Sequence, residues 1–192
     1  MGSQRFPGKV LAPLAGKPLI EHVLDRVAKS VPRNLIVLCT TRDYTDEPLA
    51  RFVRDWCFVQ VYRGPTENVV ERFQGALTEY PCERFFRVCG DSPLLDPGLF
   101  KRFLRVKGNP DLVTNVFPRT FPKGQSLELI RADTFSRLRG LTGAQREHPT
   151  KVFYDHPGDY SIVNVASTIK DRGCGNVAVD TLDDLRRIEG LL

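Results

Sequence analysis

The sequence predicts an α/β fold, a mostly parallel sheet with helices on both of its faces. Three observations carry that prediction. Short apolar runs without polar alternation, at residues 35–39 and 85–89, have the pattern of strands buried on both faces. Amphipathic helical stretches alternate with these runs instead of following them as a block. Turn residues punctuate the ends of the runs, as at Gly64-Pro65 and Gly90-Asp91. At 192 residues the chain suits one domain, 1–192.

Residues 17–28 read as a helix, with Pro18 in the first turn and Leu19, Ile20, Val23, Leu24 and Val27 on one apolar face. The first buried parallel strand is 35–39, and the second is 58–62, stopped by Gly64-Pro65. Thr66 is expected to cap a helix whose inner face is Val69, Val70, Phe73 and Leu77. A third strand, 85–89, ends at Gly90-Asp91. Asp96-Pro97 opens a helix carrying Leu99, Phe100, Phe103 and Leu104, which Gly108 ends. Residues 111–116 form a further strand. Between 117 and 141, Pro118, Pro122 and Gly124 break the periodicity, and 126–130 fits part of a hairpin. Another strand is expected at 161–166. A final helix, 181–192, has Leu182, Leu185, Ile188 and Leu192 on one side. There is no internal repeat and no low-complexity segment.

Composition excludes several function classes. The net charge of +5 suits an acidic small substrate, but the 28 basic residues are spread along the chain. A nucleic-acid surface would gather them on one element with interleaved aromatics. No apolar run approaches the about 18–20 residues of a membrane span, and no signal-peptide core is present, so a cytoplasmic location is expected. The five cysteines (Cys39, Cys57, Cys82, Cys89 and Cys174) are odd in number and lack Cys-x-x-Cys spacing. Buried free thiols in a reducing compartment are expected, not zinc ligands or disulfides.

Three segments carry chemistry. In residues 1–11, Gly2 and Ser3 let backbone amides approach a phosphate, Arg5 and Lys9 supply positive charge, and Pro7-Gly8 forces a turn. A nucleotide P-loop has four residues between its glycines and a hydroxyl after the lysine. Here five residues separate Gly2 from Gly8, and Val10 follows Lys9. Taken alone, the segment fits a basic turn before a helix equally well. The second segment places Asp91 at the carboxyl end of an apolar run, where open α/β sheets hold their ligands, and a carboxylate there suits Mg²⁺. Turn formation or helix capping is the competing role for Asp91. In the third, 177–185, an apolar run delivers Asp180 directly before a helix. Thr181 with Asp184 fits a capping box, which frees Asp180 for another task. Two strand-end carboxylates and a cationic loop fit an Mg²⁺-nucleotide site.

Residues 2–11 and 14–19 resemble the signature of the sugar cytidylyltransferases. The likeness continues through Thr40-Thr41, 62–64, 70–73, 90–97, 114–120, 146–150 and 179–185. It is strongest to the spore-coat polysaccharide type, related to the CMP-ketodeoxyoctonate and CMP-sialate synthetases. The resemblance implies a Rossmann-like nucleotidyltransferase fold and transfer of a cytidylyl group from CTP to a sugar, sugar-acid or related small-molecule acceptor, releasing pyrophosphate. It implies that Gly2, Ser3, Arg5 and Lys9 hold the CTP phosphates and that Arg87 touches the base or ribose. Asp91 and Asp180 would bind Mg²⁺, with Lys9, Asp91 and Asp180 as the catalytic set. Asn115, Arg119, Arg146 and His148 would line the acceptor pocket, and a homodimer is the family's common assembly.

Departures accompany the matches. The family pattern carries a central buried strand before the residue that matches Met1, and the expectation is that this N-terminal strand is missing. Ser126 stands where this branch has an acidic residue, and 140–145 is short. An inactive remnant is therefore one alternative, and use of another base or a phosphonate-type acceptor is a second. A metal-dependent glycosyltransferase is disfavoured, because the chain contains no Asp-x-Asp pair.

Overall fold

The computed structural model of the protein describes residues 5–167 and 175–192. Ala15 (φ 45°) and Gly16 (φ 81°) let β1 (Pro13–Leu14) double back antiparallel on β2 (Lys17–Pro18). Left-handed dihedrals at both central residues are what such a two-residue hairpin requires. α1 (Leu19–Ala28) then buries Leu19, Ile20, Val23, Leu24 and Val27, the face its periodicity predicts. β3 (Val37–Thr41) and β4 (Gln60–Gly64) pair in parallel, from Val37↔Gln60 to Thr41↔Gly64. Both begin two residues later than their apolar runs. Leu35, at the start of the first run, lies in a 3₁₀ turn and is exposed. Between them runs α2 (Glu47–Cys57), a helix the sequence reading omits, with Leu49, Ala50, Val53 and Cys57 buried.

α3 (Val69–Glu79) corrects the expected cap. Asn68, not Thr66, accepts the Glu71 amide at 3.1 Å, while the Thr66 carbonyl accepts from Arg72. A capping side chain reaches only the second or third amide of the helix, and Thr66 lies too early for either.

The other strands form one sheet in the order β5 (Arg84–Arg87), β7 (Glu128–Arg131), β6 (Leu112–Thr114), β8 (Ile162–Asn164). Parallel pairing holds for β3–β4 and β6–β8, whereas β7 runs antiparallel to both β5 and β6. A parallel return needs a long crossover, usually helical, and residues 115–127 supply only a loop. The remaining helices are α4 (Gly98–Leu104), α5 (Ala132–Ser136), α6 (Gly143–Glu147), α7 (Lys151–Asp155) and α8 (Leu182–Glu189).

Helices cover both faces because successive strand residues point to opposite sides. Val113 and Leu129 pack with Leu24 of α1, Leu99 and Phe103 of α4, and Ile188 of α8. Their neighbours Leu112 and Ile130 pack with Val70 of α3, Phe135 of α5 and Phe153 of α7. Leu104, Leu182 and Leu192, assigned to apolar faces by periodicity, are exposed at the ends of their helices or beyond.

Cys39, Cys57, Cys82 and Cys89 are free thiols, and Cys174 lies outside the described residues. Cys82 is exposed, unlike the buried thiols expected, because it sits in the turn between α3 and β5. Burial pushes the Cys39 and Cys57 thiols up to about 11, which keeps them as unreactive thiols at pH 8. Timed iodoacetamide labelling at pH 8 with peptide mapping should modify Cys82 at least about tenfold faster than either. Equal rates would contradict this burial.

Gly124 ties the loop before β7 to the C-terminal segment. At φ +90° it lies so close that an added Cβ would fall 2.5 Å from the Val177 carbonyl carbon. Next to it, the Val177 amide donates to the Lys123 carbonyl at 2.8 Å. Gly124→Ala therefore combines backbone strain with a clash and should lower stability by about 2–4 kcal/mol. Urea denaturation measures this, and an unchanged midpoint would refute the close approach.

Candidate active site

Pro7-Gly8 makes the predicted turn. Gly8 takes φ 71° and leads into a 3₁₀ turn at Lys9–Leu11, which aims the Lys9 side chain toward the carboxyl ends of the strands. Two segments meet it there. Asp91 follows β5, and its carbonyl accepts the Val179 amide at 2.9 Å. That bond fixes the spacing between the two carboxylate-bearing segments. Asp180 follows the buried Val179 and directly precedes the capping residue of α8.

The capping box forms as the sequence predicts. Asp184 accepts from the Thr181 amide and hydroxyl, each at 3.0 Å, while the Thr181 hydroxyl accepts the Asp184 amide. Asp184 also accepts the Asp180 amide at 3.1 Å. The cap thus holds the Asp180 backbone and leaves its side chain to the cluster. Burial raises the Asp184 carboxyl, but hydrogen bonds from Arg187, Asp180 and Thr181 outweigh it and hold the group below the usual range.

Three predicted site residues converge. Lys9 Nζ lies 3.0 Å from Asp91 Oδ2 and 3.3 Å from Asp180 Oδ1, and it donates to the Val179 carbonyl at 2.7 Å. Arg5 reaches Asp180 Oδ1 at 3.0 Å from an exposed position. Gly2 and Ser3 lie outside the described residues.

The donor set fits a hard divalent cation. A lysine ammonium already sits among two carboxylate oxygens and a carbonyl, so the space accepts a cation surrounded by oxygen. Among the described residues no three His, Cys, Asp or Glu side chains gather as a metal group. A cation held by Asp91 and Asp180 would complete its shell with water or substrate oxygens, the habit of Mg²⁺ more than of zinc.

Arg87 has a different neighbourhood. Its strand register sets it opposite Glu128, and Nη1 meets Glu128 Oε2 at 2.6 Å. The other Glu128 oxygen accepts the Tyr154 hydroxyl at 2.6 Å, and that hydroxyl lies 2.8 Å from Thr114 Oγ1. Burial, then the charge of Glu128, pushes the Tyr154 phenol far up and keeps it protonated as a donor. Phe117 stacks on Tyr154 with ring centroids 5.0 Å apart. The guanidinium of Arg87 is thus engaged in a network that links β5, β7 and α7. Sequence reasoning gave Tyr154 no part in it, since a tyrosine in a short helix carries no signal of its own.

The four expected acceptor residues fall on two segments, Asn115 and Arg119 on the 115–127 loop and Arg146 and His148 on and just after α6. Asn115 is fully buried and braces a loop, its Nδ2 donating to the Gln125 carbonyl at 2.7 Å and its Oδ1 accepting the Leu127 amide at 3.0 Å. Arg119 donates to Ser126 Oγ at 3.0 Å, where the branch's missing carboxylate would stand. Arg146 and His148 are exposed on and just after α6, and Arg146 donates to the Leu141 carbonyl.

Solved nucleotidyltransferases share this α/β fold. A cytidylyltransferase from Leptospira borgpetersenii superposes with a TM-score of 0.89 at 24% identity, covering 98% of this chain and 81% of that one. The CMP:2-keto-3-deoxy-manno-octonic acid synthetase complexed with CTP gives 0.67 at 20% identity, covering 99% and 93%. The cytidylyltransferase family model matches residues 1–181, so the chain belongs to that family, the nucleotidyltransferases that use CTP. The spore coat polysaccharide biosynthesis protein SpsF of Bacillus subtilis is 28% identical over 200 residues, spanning 100% of this chain and 82% of the relative. Among the described residues no helix is long and apolar enough to cross a membrane.

Removing Glu128 would leave the Arg87 charge largely buried without its partner. Glu128→Ala should therefore cost about 3 kcal/mol in urea denaturation. A loss below about 1 kcal/mol would mean that the pair is solvated like a surface bridge.

Proposed function

We propose that residues 1–192 act as one catalytic domain that moves a cytidylyl group from CTP to a sugar or sugar-acid acceptor in cell-surface polysaccharide synthesis. The convergence of Lys9 with Asp91, which follows β5, and Asp180, which precedes α8, is the observation that carries this reading. The printed names of the relatives support the acceptor class, one being a spore coat polysaccharide protein and another a keto-sugar-acid synthetase. With CTP as donor, the cytoplasm is the expected site of action.

In this reading an acceptor hydroxyl oxygen bonds to the α-phosphorus and gives up its proton to solvent, while the bond from the α-phosphorus to the α–β bridging oxygen breaks and pyrophosphate leaves with that oxygen. Such a transfer needs in-line positioning and charge neutralisation more than a covalent nucleophile. Arg5 and Lys9 would hold the outer phosphates with help from the amides of Gly2 and Ser3, while Arg87 would border the nucleoside. Arg119, Arg146 and His148 remain proposed acceptor contacts, with Asn115 shaping their loop. Asp91 and Asp180 would hold Mg²⁺, which when bound neutralises phosphate charge and orients the α-phosphate.

Pyrophosphate release from each of the four NTPs, with Mg²⁺ and a panel of sugars, sugar acids and phosphonates, tests the proposal. CTP should be preferred. Asp91→Asn and Asp180→Asn should each lower turnover by at least about 10³-fold while leaving thermal stability within a few degrees. A strict preference for UTP or GTP would sink the donor assignment. Undiminished turnover in both variants would sink the site.

A further inference from the structure

Lys9 does more in this structure than wait beside a phosphate site. Its ammonium has three N–H donors, and three oxygens receive them: Asp91 Oδ2 at 3.0 Å, Asp180 Oδ1 at 3.3 Å and the Val179 carbonyl at 2.7 Å. The side chain is 14% exposed, whereas Arg5 is 68% exposed and, among the described residues, pairs with Asp180. Lys9 is the cation seated between the two carboxylates, and Arg5 is a cation at their rim.

We infer that Lys9 is the resident cation of the metal-free protein, occupying the seat that a divalent cation takes over, and that metal entry releases its ammonium toward the nucleotide phosphates. This rests on the proposed reading of Asp91 and Asp180 as metal ligands. The physical case has three parts. Two convergent carboxylates without a cation between them repel each other, and the seated ammonium offsets that repulsion. A divalent cation approaches its oxygens to about 2.0–2.1 Å. An ammonium about 3 Å from the same oxygens would then face it at close range as a like charge, so the two occupants exclude one another. The displaced ammonium has a flexible four-carbon stem with which to find a new anion, and a triphosphate beside the metal provides one.

The exchange has an energetic consequence. Without nucleotide, metal binding must first break three charge-assisted contacts, so the bare protein binds metal weakly. With nucleotide present, the phosphates receive the ammonium and the penalty shrinks. Metal and nucleotide therefore raise each other's affinity, by equal factors.

Mn²⁺ titration of the nucleotide-free full chain, followed by electron paramagnetic resonance, tests the inference in wild type, Lys9→Gln, Arg5→Gln and Asp91→Asn. Lys9→Gln should bind Mn²⁺ at least about fivefold more tightly than wild type, since no occupant needs displacing. Arg5→Gln removes the same formal charge without emptying the seat, and should change affinity less than about twofold. Asp91→Asn should lose the site. A second measurement needs no variant: Mn²⁺ alone should speed acetylation of Lys9 in wild type, read by mass spectrometry.

Equal or weaker binding by a folded Lys9→Gln would overturn the inference, as would an equal gain in Arg5→Gln, which would indicate a general charge effect. Absence of metal-induced labelling in wild type would overturn it even if Lys9→Gln failed to fold. None of these measurements uses CTP or turnover. Failure of the cytidylyl reading and failure of the exchange are thereby distinguishable.

Discussion

The bridge from Lys9 to Asp91 and Asp180 is the constraint on which the rest of the arrangement depends. It joins residues 82 and 171 positions apart, so the beginning, middle and end of the chain must arrive at one point. Everything below it serves that arrival. The turn at Gly8 aims the lysine, β5 delivers Asp91, and the bond from the Val179 amide to the Asp91 carbonyl sets the gap between the acids. Charges held this close are costly to leave unpaired, so small errors in the frame would be felt at the site.

A second polar system crosses the sheet and is built on different terms. Arg87, Glu128, Tyr154 and Thr114 satisfy one another across β5, β7 and β6, and Asn115 closes the loop beyond with two backbone contacts. Buried polar groups satisfied in this way favour one conformation, since alternatives leave donors or acceptors bare. The loop from 115 to 127 carries Arg119 and has no regular secondary structure of its own. These contacts give it a shape.

Much of this was legible in the sequence, and the reasons differ by feature. The α1 face was readable because five apolar residues repeat at helical spacing, and the Thr181–Asp184 box because its three-residue offset has one geometry. Asp91 and Asp180 stood out because each ends an apolar run just before a turn or helix. By contrast, α2 is hard to read, because the exposed Trp56 and half-buried Phe52 blur the apolar face that Leu49, Ala50, Val53 and Cys57 form. The cap at Asn68 was misplaced because both candidates are good capping types and only position separates them. The network around Glu128 escaped altogether. Cross-strand register decides which residues stand opposite, and no local pattern encodes it.

Asp184 has a wider reach than its capping role. Its carboxylate secures the Asp180 amide and the first turn of α8, while Glu189 at the far end accepts the Ala15 amide of the β1–β2 turn. Fraying of α8 and loosening of Asp180 are therefore one local unfolding event. By reciprocity, an occupant that grips Asp180 must slow amide hydrogen exchange throughout the C-terminal helix, so the order of that helix becomes a gauge of what the site holds.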